Sequence, residues 1–267
     1  MPRFAVARFF KWIGRFVGND SLILSILAIG VGAAGGGAVI GMWEGIALVQ
    51  GGFLGTRSHY LYQYASGLAW WHLLLAPAAG GLLIGLLVHR FMPGRRPHGV
   101  ADVIESSALH DGRMSAATGL KAAAISAASI GVGASVGREG PAVHLGAALA
   151  GWLAGRLRLS RSASRTLLGC GVSAAVAASF NAPLAGALFA TEVVIGHYAL
   201  KAFAPIVIAS ITGAAVSGAY FQGALAFAVP EHTISSFLEL PAFAGLGIIA
   251  GVMAVVFMRS IHLAGRA

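Results

Sequence analysis

The sequence predicts an all-α, polytopic integral membrane protein, and three observations carry that prediction. Apolar residues fill 57% of the 267 positions, charged residues only 10%, and the mean hydropathy is +0.81, a balance that a soluble core does not need. Charge-free stretches run over 21–43, 58–89, 166–191, 202–230 and 241–258, several of them longer than the roughly 20 residues that carry a helix across about 30 Å of hydrocarbon. The alternating strands of an outer-membrane barrel are missing, and the richness in Ala, Gly and Leu suits helices that approach one another closely.

The elements follow in chain order. The opening MPRFAVARFFKWIGRF is basic and aromatic, which fits an interfacial helix near 5–16 within an N-terminal piece of residues 1–18. The apolar run after it is longer than a signal-peptide core and shows no convincing cleavage site, so it reads as a retained span over 19–44. A connection over 45–66 leads to a second span over 67–90. The breaker-rich FMPGRRPHGV then separates it from a short helix over 101–109, followed by a helix over 114–135. SVGREGP introduces another short helix over 141–156. A helix over 164–179 ends at FNAPLAG, where Pro183 and the residue before it interrupt the turn, and helices over 184–199, 202–221 and 240–262 complete the chain. Residues 19–267 form one membrane domain in this reading. Several of these helices are too short to span. Non-helical backbone at membrane depth survives only where protein buries it or a watery cavity receives it, so such interrupted helices point to a transport site.

The net charge of +9 does not indicate nucleic acid, because the basic residues are grouped by loop rather than on one face. Arg3, Arg8, Lys11 and Arg15 precede the first span, Arg90, Arg95 and Arg96 follow the second, and Arg156, Arg158, Arg161 and Arg165 follow the next pair of apolar stretches. By the positive-inside rule these clusters and the N-terminus are cytoplasmic, and residues 45–66, whose one basic residue is Arg57, lie outside. An inner (plasma) membrane of a bacterium is the expected location. Cys170 is the single cysteine, which excludes an intrachain disulfide and a cysteine metal cluster. The histidines are scattered without HxxxH or HExxH spacing, and no serine and histidine pair stands out on adjoining Gly-rich breaks, so neither a metal centre, nor a cofactor, nor an intramembrane serine hydrolase is expected.

Lys121, Arg138, Glu139, Glu192 and Lys201 are charges set in apolar surroundings. A charge at mid-bilayer costs roughly 2.5–3.5 kcal/mol on insertion scales, so each is expected to face the bundle interior or a water-filled path. Glu139 and Pro141 stand just before the apolar stretch 142–155, with Pro141 suited to a first turn. A helix start carries about half a positive charge and free N–H donors. It can therefore hold either a tethered carboxylate or a mobile anion, and their competition is a gate that protonation opens. Gly137 and Gly140 flank the charged pair and let backbone amides face an ion, whereas Gly131 and Gly133 read as packing positions. An Arg138–Glu139 salt bridge is poorly served by adjacent helix positions. No phosphate loop is present, since GxxxxGK[ST] and the βαβ context are missing.

GREGP at 137–141 resembles a signature of the CLC family of chloride channels and proton/chloride antiporters, and FNAPLAG at 180–186 with Glu192 agrees with it. The resemblance implies the first inverted-repeat half of a CLC-type fold, with broken and re-entrant helices whose starts converge on a dehydrated anion. It implies a homodimer with one pathway per subunit, and as partners chloride or a similar small anion, protons and the lipid bilayer. By the same match Glu139 is the gating glutamate, and Gly137, Arg138, Gly140 and Pro141 shape its loop. The family's other signature, usually GSGIP, aligns with PHGVA at 97–101, so His98, Gly99 and Val100 join the anion-binding set and a histidine replaces a serine. An imidazole there makes conduction pH-sensitive; alternatively His98 belongs to a cytoplasmic basic turn with Arg95 and Arg96. Glu192 matches a family glutamate, but Val193 stands where some antiporters carry a proton-relay glutamate. Glu192 and Lys121 then read as structural or proton-path charges. The resemblance also implies a second inverted half that would close the site, with truncation of the sequence as the expected reason that it is not seen here, and the alternative that this is a non-conducting half completed by a partner chain.

Overall fold

The computed structural model of the chain describes residues 20–57, 67–196, 200–221, 237 and 239–265. The expected interfacial helix over 5–16 lies outside the described residues. Nine α-helices are described: α1 (Asp20–Leu54), α2 (Trp70–Phe91), α3 (Val100–Leu109), α4 (Ala116–Gly131), α5 (Glu139–Leu157), α6 (Arg161–Phe180), α7 (Pro183–Phe189), α8 (Leu200–Tyr220) and α9 (Glu239–Ala264). A short 3₁₀ turn, Pro93–Arg95, precedes α3, and a π-helical segment, Ala190–Ile195, continues α7. Among the described residues there is no strand, and five helices are long and apolar enough to cross a membrane. The chain divides into one unit over Met1–Ala226 and a second over Phe227–Ala267 that carries α9.

Helix α6 is the axis of the first unit. Leu167, Leu168, Cys170, Val172, Ala174 and Ala175 on it are fully buried, and α5, α8, α1 and α7 pack around them. Small residues make that possible. A Cβ added to Gly171 would collide with Gly146 O of α5 and stand 2.7 Å from Ala150 Cβ, and one added to Gly146 would collide with Gly171 O and stand 2.9 Å from Ala175 Cβ. The two backbones therefore touch, which is how helices associate where lipid offers no hydrophobic contrast. Hydroxyls fasten the other side: Ser173 Oγ donates to Ile206 O at 3.0 Å, and Ser217 Oγ donates to Ala178 O at 2.9 Å, tying α6 to α8. Gly131 packs as read from the sequence, since a Cβ there would stand 2.5 Å from Val49 Cβ on α1.

Caps set several boundaries differently from the sequence reading. Ser160 accepts from Ala163 N, so α6 starts at Arg161 rather than near 164. Gly133 takes φ 96 and ends the α4 stretch early, at Gly131 rather than near 135. Gly196 takes φ 77 behind the π segment, so the stretch expected to run to 199 turns at 195–196. The break at FNAPLAG is found: Asn181 caps α6 at φ 53 and Pro183 opens α7. The largest correction concerns α1, 35 residues long and continuing to Leu54 through residues read as an external connection. GIALVQGGFL contains no proline, and Ile46, Ala47, Gln50 and Leu54 are buried, so packing overrides the low helix propensity of its glycines.

Candidate functional site

The sequence separates PHGV and GREGP by about 40 positions, and the fold brings them together. Gly99 is the residue before α3 and Glu139 the first residue of α5. A Cβ added to Gly140 would lie 3.9 Å from Gly99 Cα, so the starts of the two helices abut. Each start exposes N–H groups that no intrahelical carbonyl accepts, and both positive dipole ends fall at one place.

Arg138 is the N-cap of α5, Glu139 lies within the first turn rather than before it, and Pro141 is the third helical residue. The helix begins two residues earlier than expected because the pair GE adopts helical dihedrals ahead of the proline, which needs no N–H donor there. The Arg138 guanidinium lies over the Trp43 ring of α1, 4.0 Å from its centroid, a cation–π contact that anchors the loop to the long helix. The neighbouring carboxylate is held loosely. Arg138 Nε and Glu139 Oε1 are 3.8 Å apart, with the Glu139 side chain 45% exposed, so the adjacent pair does interact, at the outer edge of ion-pair range. Glu139 folds back over Gly137, whose added Cβ would stand 2.9 Å from Oε2. Glycine at 137 thus makes room for the carboxylate itself.

On the α3 side, His98 is linked through Asp102 to Arg96 of the basic turn and also lies against His144 of α5. Its Nδ1 is 2.9 Å from Asp102 Oδ1, and Arg96 Nη2 donates to the same oxygen at 2.6 Å. Asp102 Oδ2 accepts from Gly99 N at 2.8 Å, satisfying one orphan amide of the helix start. Burial alone would raise the Asp102 carboxyl, but the hydrogen bonds from Arg96, Gly99 N and His98 outweigh it and hold the group down at about 2. The His98 ring lies 5.5 Å, centroid to centroid, from His144 of α5, tilted by 32°. His144 is 2% exposed, and neither its Nδ1 nor His98 Nε2 has a hydrogen-bond partner. Leaving such groups unpaired in the interior costs about 1–3 kcal/mol each.

The other expected residues fall elsewhere. Val100 opens α3 beside His98 and Gly99. Lys121, on α4, is exposed, so it does not face the bundle interior in this unit. Glu192 lies on the π segment, exposed beside Val193, and that segment packs against α3; the side chain of Lys201 lies outside the described residues. Three residues of the site were missed: Asp102, His144 and Trp43. A signal existed for the first, because Asp102, four positions after His98, is an acidic residue in the first turn of a helix, where it can receive donors from the turn before it. His144 sits alone in an apolar helix, and nothing local distinguishes it.

Comparison with known proteins gives a consistent answer. The family model for voltage gated chloride channels matches residues 80–267. A chloride channel protein described as ClcB-like from Ralstonia nicotianae is 35% identical over 227 residues, covering 83% of this chain and 52% of the relative. The voltage-gated ClC-type chloride channel ClcB of Escherichia coli (strain SMS-3-5) is 31% identical over 230 residues, covering 85% of this chain and 54% of the relative. The chain therefore spans about half the length of the curated relatives it matches. The crystal structure of a slow cyanobacterial Cl⁻/H⁺ antiporter shares the fold, with a TM-score of 0.68 at 20% identity, over 86% of this chain and 54% of that one.

Proposed function

The chain belongs to the voltage gated chloride channel family, and on that premise we propose that it carries chloride or a similar small anion across a membrane through a pathway gated by Glu139. The observation that carries the reading is the meeting of the α3 and α5 starts at Gly99 and Gly140, with a loosely held carboxylate on the first residue of α5. Two helix N-termini supply amide donors and positive dipole ends to one anion, and a tethered carboxylate competes for the same field. Protonation removes the competitor. Gly137, Arg138, Gly140 and Pro141 shape the gate, while His98, Gly99 and Val100 line the opposite start.

The transport is channel-like or loosely coupled to protons, because Val193 offers no titratable group where the family resemblance puts an internal relay. Glu192 and Lys121 are assigned structural or accessory proton-path roles. The working unit is a homodimer, the N-terminus is cytoplasmic, and the membrane is the inner membrane of a bacterium, in keeping with the basic clusters of the loops. The test is chloride efflux from liposomes loaded with potassium chloride and containing the purified full chain. Efflux well above that of protein-free liposomes, with gluconate excluded, is the expected result; leakage equal to that of empty liposomes overturns the proposal.

A further inference from the structure

The His98–Asp102–His144 cluster has a chemistry that a serine in the same place lacks. Asp102 accepts from Arg96 Nη2 and Gly99 N as well as facing His98 Nδ1. A carboxylate holding those donors is ionised and can only accept, so His98 Nδ1 must carry the hydrogen. In the neutral imidazole the other nitrogen, Nε2, is then a lone pair. That atom is buried and has no protein partner. Across from it, His144 is buried to 2% exposure with its own Nδ1 unpartnered, and the two rings are 5.5 Å apart between centroids. Two imidazoles thus meet beside two helix starts with their hydrogen-bonding capacity unspent.

We propose that His98 is a proton-dependent anion ligand: Asp102 fixes its tautomer, so that Nε2 can donate to an anion only when the ring is doubly protonated, and anion and proton bind this site together. This rests on the anion-transport reading above and deepens it. In the neutral state the Nε2 lone pair repels an anion. Uptake of one proton from solvent converts it to N–H⁺, with no change in the Asp102 contact. His144 stays neutral and supplies a second N–H from Nδ1, since two adjacent imidazolium rings repel each other. The charged and titratable groups of the His98 segment and of the elements packed against α3 are Arg96, Asp102 and Glu105 from its own segment, Arg138, Glu139 and His144 at and after the α5 start, and Glu192 from the π segment. Glu139 is the group whose titration must be separated from that of His98. Its proton opens a path, whereas the proton on His98 makes a ligand.

The experiment is calorimetric titration of chloride into the full chain in the E139Q background, in buffers of differing ionisation enthalpy, from pH 5 to pH 8. Uptake of about one proton per chloride is expected, with affinity falling about tenfold per pH unit once the imidazole is mostly neutral. In E139Q/H98N the uptake disappears. E139Q/D102N binds chloride without uptake, because an asparagine amide can donate to Nδ1 and place the hydrogen on Nε2; it serves as the deciding variant should H98N fail to fold. Chloride binding without proton uptake in E139Q, or uptake that persists in both double variants, overturns the role of His98 and leaves the anion-transport reading standing. No chloride binding at any pH in any of the three overturns both.

Discussion

Glu139→Gln is expected to raise anion flux at high pH and to remove the part of its pH dependence that the carboxylate carries. In the wild type the ionised carboxylate competes with the mobile anion for the α5 start, so flux rises as pH falls and the carboxyl is protonated. The dependence approaches about tenfold per pH unit where the group is mostly ionised, the behaviour of a single titrating site. Glutamine has the shape of the protonated acid and no charge to lose, so the variant should lose the part of the pH dependence that Glu139 carries and keep only the part that His98 adds through anion affinity. The local geometry makes this substitution mild. The Glu139 side chain is 45% exposed, and its ion pair with Arg138 is 3.8 Å long, while Arg138 keeps its hold on Trp43. Efflux from liposomes between pH 5 and pH 8 measures the effect. A wild-type pH profile in the variant removes Glu139 from the gate.

The second large effect is on stability. Gly171→Leu is expected to abolish the folded protein, because the α5 and α6 backbones touch at Gly146 and Gly171 and any Cβ at 171 strikes Gly146 O and Ala150. Alanine alone should cost about 1–3 kcal/mol by overpacking, and leucine drives the axis helix out of contact with α5. The site suffers with it. Gly140 and Glu139 ride on α5, so a shift there separates them from Gly99. Gly155→Ala on the same helix is the control, since a Cβ at that position meets nothing within 4 Å; it should be neutral or slightly stabilising by helix propensity. Thermal melting and size-exclusion profiles in detergent distinguish the two. Equal profiles for Gly171→Leu and Gly155→Ala contradict the packing described for α6.

These two residues also show how unevenly the sequence is readable. The fold class was legible because charge-free runs of membrane length are a direct consequence of the bilayer, and GREGP was legible because a carboxylate in such a run is costly. The break at Asn181–Pro183 was equally open to inspection, being a matter of local dihedrals. The far end of α1 was not. Residues 45–54 look like a glycine-containing loop until Ile46 and Leu54 are seen to be buried, which is tertiary information. The same holds for the site. His98 and Glu139 were found from local oddity, but the pairing of His98 with His144 depends on how α3 and α5 cross. Trp43, under the Arg138 guanidinium, reads in sequence as one more apolar residue of a span. Asp102 could have been found as an acidic residue in the first turn of a helix, four positions after His98.

Convergence of the α3 and α5 starts on an anion underlies both the gate and the His98 ligand. Anomalous diffraction from crystals of the full chain grown in bromide tests it most directly. A bromide peak is expected between Gly99–Val100 and Gly140, within reach of His98 Nε2, and stronger at pH 5 than at pH 8. Bromide ordered elsewhere on the protein, with none between the two helix starts at either pH, contradicts it.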